Sequence, residues 1–366
     1  NTGAEATQTV TASADATGLS GGTSVTAVGG LATFATLKMT AVSGNYVMTY
    51  TANTSGSTGT TAFDLWHGSA AQLVLSTQAA GFVNRANFTT QPVITVKDSM
   101  GNTVLDSAIS IDVTIDSGTL TGTTQVAAVA GVATFTNLGK YGAVGAKTLT
   151  FRNVGNTLTQ ATQSFSLTYG AIHHLNVAVA NALANDTAWA TQPVVAIQDE
   201  DNNTVDITDT VTLTASGATT VAIGGTTSMQ TTNGVANFTG KGVKLTGLAG
   251  SKTLTATITS GNGFTKDTAV TLTYGAATKL KLTTDPTGFV NRTNFTVQPV
   301  VTVQDVSGNT VGNSSISIDV TIDTGDITGT KRVSAVNGVA TFAGLGKTGT
   351  IGLKTLTFSD SAGLLT

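Results

Sequence analysis

Four copies of one short stretch frame this chain: Gly30-Leu31-Ala32-Thr33-Phe34, Gly131-Val132-Ala133-Thr134-Phe135, Gly234-Val235-Ala236-Asn237-Phe238 and Gly338-Val339-Ala340-Thr341-Phe342. Their phenylalanines fall 101 to 104 residues apart, so the chain is a tandem array of one module. In each copy a glycine opens the stretch and apolar residues then alternate with small or polar ones. That is the pattern of a half-buried strand leaving a turn. A repeat this long is a whole small domain, longer than the roughly 20–50-residue units of solenoids.

A second recurring stretch marks the boundaries. Leu167-Thr168-Tyr169-Gly170 matches Leu272-Thr273-Tyr274-Gly275, and Leu65-Trp66-His67-Gly68 takes the same place earlier. Shortly after each glycine a new apolar strand begins, at Leu73, Leu175 and Leu280. The predicted modules are 1–68, 69–170, 171–275 and 276–366. No Pro-rich or Gly/Ser-rich linker separates them, so little hinge motion is expected.

The second module shows its strands most plainly. Ile109, Ile111, Val113 and Ile115 alternate with polar residues and are predicted to face a core. With the stretches at 73–75, 91–98, 131–135, 147–151 and 164–169, this gives most of the about seven strands, at the spacing of an antiparallel sandwich. Aligned on Phe135, the first module lacks everything equivalent to Ser69 through Gly101. Aligned on Phe151, the fourth lacks the equivalent of Gln160 through Gly170. The expectation is a segment of a longer array, with the missing strands elsewhere in the same polypeptide; donation by a neighbouring chain is the alternative.

The modules also alternate. Residues 109–116 recur letter for letter at 316–323, and Gly81-Phe82-Val83-Asn84-Arg85 recurs 207 residues later at 288–292. The first and third modules share a different mark, Thr11-Ala12-Ser13 against Thr214-Ala215-Ser216. The order is therefore A-B-A-B. Either an A-B pair was duplicated, or every second module presents one surface for lateral contact.

Composition excludes several functions. Only 10% of the residues are charged and the net charge is −3, which gives no electrostatic footprint for nucleic acid. No run of 18 apolar residues offers a membrane span. Cysteine is absent, and a sandwich of about 100 residues can stand on its core alone. The motifs of a nucleophile elbow, a phosphate loop or a zinc protease are missing, so no enzymatic activity is expected.

The run Pro92-Val93-Ile94-Thr95-Val96-Lys97-Asp98-Ser99-Met100-Gly101-Asn102-Thr103-Val104 is followed by Gly131 to Phe135 and by Gly145-Ala146-Lys147-Thr148-Leu149-Thr150. Together these stretches resemble the bacterial Ig-like repeats of invasin- and intimin-type adhesins, which occur also in large prokaryotic surface and surface-layer proteins. The resemblance covers all four modules. It implies an all-β chain, a tandem array of Ig-like antiparallel β-sandwich modules forming an elongated rod. It implies less about function, because such modules serve as stalks, lattice blocks and adhesive tips alike.

Few residues offer chemistry. Asp199, Asp201 and Asn203 place oxygens at alternate positions, as the opening of a calcium loop does, and calcium is the one cofactor the sequence brings to mind. The later glycine and closing glutamate of such a loop are absent, so a solvated acidic turn is the competing reading. The equivalent turns at 98–102 and 305–309 carry one acid and a Gly-Asn, which reads as plain turn chemistry. His67, His173 and His174 sit at module junctions without a cysteine nearby, which disfavours zinc. Trp66 is expected to pack at a seam. Asn87, Asn185 and Asn294 head Asn-x-Thr sequons and are candidate glycosylation sites.

The function expected from the sequence is a structural repeat segment of a large prokaryotic cell-surface protein, the building block of a surface layer, fibre or stalk. The alternative is a ligand-binding adhesin. The expected location is extracellular, on the cell surface. The expected partners are other copies of the chain or neighbouring surface subunits, with no nucleic acid and no membrane span.

Overall fold

The computed structural model describes residues 7–260 and 263–365. Among the described residues there is no α-helix, and the strands are short and almost all antiparallel. The chain divides into two compact units, Asn1–Gly170 and Ala171–Thr366.

In the first unit, residues 69–170 form a sandwich. One sheet orders Gln125–Ala127, Ser110–Ile115, Gly145–Asn153 and Ala161–Leu167; the other orders Val132–Thr134, Val93–Asp98 and Ala70–Thr77. The alternation read from the sequence holds here. Ile111 and Val113 are buried opposite Asn153 and Phe151, and Asp112 and Thr114 lie on the other face. Ile94, Val96 and Ala133 close the core from the second sheet, with Phe135 against Phe151 at 5.5 Å between ring centroids.

The signature glycine has a physical reason. Ala130 and Gly131 both take positive φ (51° and 77°) between Val129 and Val132, the mirror-image turn that suits the twist of a two-residue hairpin. A Cβ on Gly131 would lie 2.5 Å from the carbonyl oxygen of Val104. Gly234 and Gly338 repeat this against the Val205 and Val311 oxygens, whereas nothing lies within 4 Å of Gly30. Gly131→Ala is therefore expected to destabilise by more than about 1 kcal/mol in chemical denaturation, and Gly30→Ala by clearly less.

Residues 7–68 build one four-stranded sheet, ordered Ser24–Thr26, Thr9–Ala14, Gly44–Ala52 and Thr58–Leu65, with a small ribbon of Leu19–Ser20 and Lys38–Met39. Among the described residues no second large sheet covers it. Phe34, whose counterparts Phe135, Phe238 and Phe342 are buried, is only half-buried against Tyr50. Trp66 departs from the sequence expectation. Burial along residues 63–67 alternates, and the alternation turns Trp66 outward, leaving it 73% exposed instead of packed at a seam.

In the second unit, residues 171–275 pair a three-stranded sheet (His174–Ala178, Val194–Gln198, Val235–Asn237) with a five-stranded one. In the latter, Ala182–Ala184 runs parallel to Thr265–Thr273. Trp189 fills the core position that Phe88 and Phe295 hold in the flanking modules, and its Nε1 has no hydrogen-bond partner there. Residues 276–365 repeat the 69–170 arrangement around Val301, Val303, Ile318, Val320 and Phe342. Their second sheet has three strands: Arg332–Ser334, Ser317–Ile322 and Leu356–Asp360.

Candidate functional site

Three aspartates close the central strand of a three-stranded sheet or follow it directly: Asp98, Asp199 and Asp305. Each is followed four residues later by an asparagine, Asn102, Asn203 or Asn309. The intervening turn needs one residue at positive φ, supplied by Gly101, Asn202 and Gly308. In every copy one carboxylate oxygen accepts two backbone N–H groups. Asp98 accepts from Met100 and Asn102 at 2.9 and 2.8 Å, Asp199 from Asp201 and Asn203 at 3.0 and 2.9 Å, and Asp305 from Ser307 and Asn309 at 3.0 and 2.9 Å. The asparagine side chain then donates to the same carboxylate, at 2.8, 3.0 and 2.8 Å. An aspartate fits because its short acceptor can fold back onto its own turn.

Within the first unit this turn grips the preceding module. Asp98 Oδ2 accepts the Gly68 N–H at 2.7 Å, and Asn102 Oδ1 accepts the Ser43 N–H at 2.7 Å. His67 sits beside this contact, with Nδ1 3.0 Å from the Gly68 oxygen and Nε2 3.4 Å from the Asp106 carboxylate.

Within the second unit the grip is fuller. Asp305 Oδ2 accepts from the Gly275 N–H at 2.9 Å and from Asn185 Nδ2 at 2.8 Å. Asn309 Oδ1 accepts from the Ala249 N–H at 2.6 Å, and its Nδ2 donates to the Gly247 oxygen at 3.0 Å. Asn185 Oδ1 completes the set by accepting the Gly247 N–H at 2.8 Å. These clasps of buried polar groups join consecutive modules inside each unit. The sequence reading passed over both as plain turns; the recurrent Asp-x-x-x-Asn spacing directly after a buried strand is the signal that marks them.

The clasp also sets the charge state. Burial alone would push the Asp98 carboxyl up, but hydrogen bonds from the Gly68 amide, the Asn102 side chain and the Asn102 and Met100 amides outweigh it and lower the pKa to about 2. Asp305 is lowered likewise, against the same opposing effect of burial, by the Gly275 amide, by Asn309 and by Asn185. A carboxylate depressed in the fold binds its proton more readily when unfolded, so acid favours unfolding. The stabilisation from Asp98 is complete above its ordinary value of 3.8 and is lost as pH falls toward about 2. Thermal melts across that window are expected to fall more steeply for the wild type than for Asp98→Asn.

Of the predicted calcium ligands, the structure brings Asp199 and Asn203 together by hydrogen bonds, while Asp201 enters that turn through its backbone amide. Among the described residues no three His, Cys, Asp or Glu side chains gather where they could hold a metal ion. A cation at Asp199 would compete with N–H donors already seated on its carboxylate. The expected outcome is a melting temperature that a chelator leaves unchanged; a rise on adding calcium would establish the site.

The candidate glycosylation sites separate. Asn87 and Asn294 are exposed. Asn185 is 1% exposed and its amide nitrogen donates to Asp305 and Ser307, so it is corrected from a glycan acceptor to a junction residue.

No family model and no curated protein matches the chain. Among solved structures it is similar to invasin, described as a bacterial integrin-binding protein, at 13% identity and a TM-score of 0.35, covering 97% of this chain and 69% of that one. It is similar to domains 1–6 of the surface layer protein SbsC at 14% identity and a TM-score of 0.24, covering 98% and 48%. A β-glucuronidase of Parabacteroides merdae matches at 14% identity and a TM-score of 0.22, over 44% of this chain. The chain spans only 21% of that enzyme's length. The fold itself rests on the strand order and register above: this is an all-β protein of small antiparallel sheets, similar to Ig-like repeats of bacterial adhesins and surface proteins.

Proposed function

We propose that this chain is a structural repeat segment of a large prokaryotic cell-surface protein, a building block of a surface layer, fibre or stalk located outside the cell. The clasps carry this reading. Asp98 with Asn102, and Asp305 with Asn309 and Asn185, are buried polar groups spent on joining one module to the next. A chain that transmits load or spans distance needs such junctions. Its partners on this reading are other copies of itself or neighbouring surface subunits. Low surface charge agrees with side-to-side contact, since sheet proteins that avoid association place charges along their edges. Electron microscopy of native cell surfaces labelled with an antibody to this chain tests the proposal. Label on an ordered layer or on projecting fibres is expected, and label confined to the cell interior would overturn it.

A ligand-binding adhesin is the second reading, favoured by Trp66, which stands exposed beside Asp64 and His67 on a shallow cleft. On that reading Trp66→Ala abolishes attachment of beads coated with the chain to cells or surfaces. On the structural reading the beads carry no attachment for the substitution to remove.

A further inference from the structure

The junction inside the first unit carries an aromatic cleft that its counterpart in the second unit does without. Both junctions close with the same clasp, Asp98 and Asn102 against Gly68 and Ser43, and Asp305 and Asn309 against Gly275 and Ala249. Aligned on those bonds, Trp66, His67 and Leu105 correspond to Thr273, Tyr274 and Gly312. In the second unit Tyr274 leans over Gly312, so near that a Cβ there would lie 3.3 Å from its ring. In the first unit His67 is held by the Gly68 oxygen and Asp106 instead. Leu105 and Trp66 stand 57% and 73% exposed and line, with His67, a cleft of about 160 Å³.

Two polar side chains complete the cleft. Asp64 and Asn45 lie directly opposite each other on paired strands, and both are exposed. Asp64 shares the outward face of its strand with Trp66, two residues on. No hydrogen bond or ion pair within the described residues engages either side chain. The corresponding pair in the second unit is Ser251 opposite Thr271. The outward aim of Trp66 belongs to its place in the strand alternation. Thr168, at the same place in residues 69–170, is exposed too, although Val83 pairs beside it. The clasp therefore closes equally well without an indole, a carboxylate and an amide gathered over it.

We propose that this cleft is a carbohydrate-binding site that seats one pyranose ring of a glycan. It goes beyond the structural reading, and its biological use rests on the adhesin reading, to which it gives a ligand class. A pyranose presents an apolar C–H face and a rim of hydroxyl groups. The Trp66 indole supplies a flat apolar platform for the first. The Asp64 carboxylate accepts, and the Asn45 amide both donates and accepts, so together they match two neighbouring hydroxyls. The cleft is smaller than the roughly 300 Å³ of sites that enclose drug-sized ligands, so one ring enters and the rest of the glycan stays in solvent. A cationic ligand over Trp66 gains less, because so open a site leaves it hydrated and its attraction to Asp64 screened.

The test places the fluorescently labelled full chain on a printed array of defined neutral and sialylated glycans. The oligosaccharide of the strongest spot is then titrated into the chain in solution. Saturable 1:1 binding is expected, with a change in the emission of Trp66 and none from Trp189, which lies 5% exposed in a core. Trp66→Ala should weaken binding about tenfold or more, a difference of about 1.4 kcal/mol. Trp66→Phe, which keeps a smaller ring, should retain part of the affinity, and Asp64→Ala should lose affinity as well. Both positions are exposed, so melting temperatures should stay at the wild-type value and separate loss of the site from loss of the fold. An array that retains no chain, or binding indifferent to Trp66→Ala, overturns the proposal. So does a chain that binds immobilised quaternary ammonium groups and no glycan. Trp66-dependent attachment of coated beads to cells stripped of their glycans also overturns it, while leaving the adhesin reading intact. Trp66-dependent glycan binding without bead attachment supports the site and overturns the adhesin reading.

Discussion

Ile111→Asp is expected to abolish cooperative folding of residues 69–170. Ile111 is the second residue of an inner strand, fully buried between the two sheets, with Asn153 as a cross-strand partner and apolar side chains around it. An ionised carboxylate there would have no counter-charge, and burying it costs several kcal/mol. The expected loss is about 4–5 kcal/mol or more, a large part of the stability of a domain this size. The control is Asp116→Ala, one residue beyond the strand and exposed, which should stay within about 0.5 kcal/mol of wild type. Far-ultraviolet dichroism during urea unfolding reads both. A variant with the wild-type midpoint would reverse the inward and outward faces assigned to Ser110–Ile115.

Asp305→Ala should produce the second largest effect, and of a different kind. The carboxylate accepts five hydrogen bonds: from the amides of Gly275, Ser307 and Asn309, and from the side chains of Asn309 and Asn185. Truncation leaves these donors without an acceptor in a buried place. Each unmet buried donor costs about 1–3 kcal/mol, and with partial relief by water the sum is expected near 3–5 kcal/mol. Because Gly275 and Asn185 belong to one module and Asp305 to the next, the loss falls on the junction. Calorimetry of the full chain is expected to show the transition of residues 171–366 broadening or splitting. Asp305→Asn should behave similarly, since an amide in place of the carboxylate sets a donor against the donors it faces. Asp326→Ala, an exposed acid in the same module, should leave the trace unchanged.

The two clasps differ in a way that bears on both experiments. The Asp98 clasp reaches Ser43 and Gly68, while the Asp305 clasp adds the Asn185 amide with its links to Gly247 and Ser307. Removal of the shared aspartate should therefore cost more in the second unit. Asn185→Ala isolates the extra contribution, and its cost should approach the difference between Asp305→Ala and Asp98→Ala.

Much of the fold was legible in the sequence because it is written in short-range patterns. The alternation at Ile109, Ile111, Val113 and Ile115 fixes which face of a strand is buried, and the structure buries Ile111 and Val113 accordingly. Gly131, Gly234 and Gly338 marked hairpin turns that need positive φ and leave no room for a Cβ. The repeat itself set the expectation of where one module gives way to the next. Each of these is a property of a few neighbouring residues, or of one stretch compared with another.

The polar groups were a different matter. Asp199 stood out because acids crowd around it, whereas Asp98 and Asp305 passed as ordinary turn residues. The structure gives all three the same local hydrogen bonds, so the acidic neighbours did not define that turn. Asn185 read as an exposed sequon and Trp66 as a seam residue, and each lies where the other was expected. The sequence by itself determined the all-β class, the strands and their inward faces, since alternation and turn chemistry act between residues close in the chain. Only the tertiary structure decided what the buried polar groups do. Their partners, such as Ser43 for Asn102 or Asn185 for Asp305, lie about 60 to 120 residues away in sequence, and pairing at that distance leaves no local pattern to read.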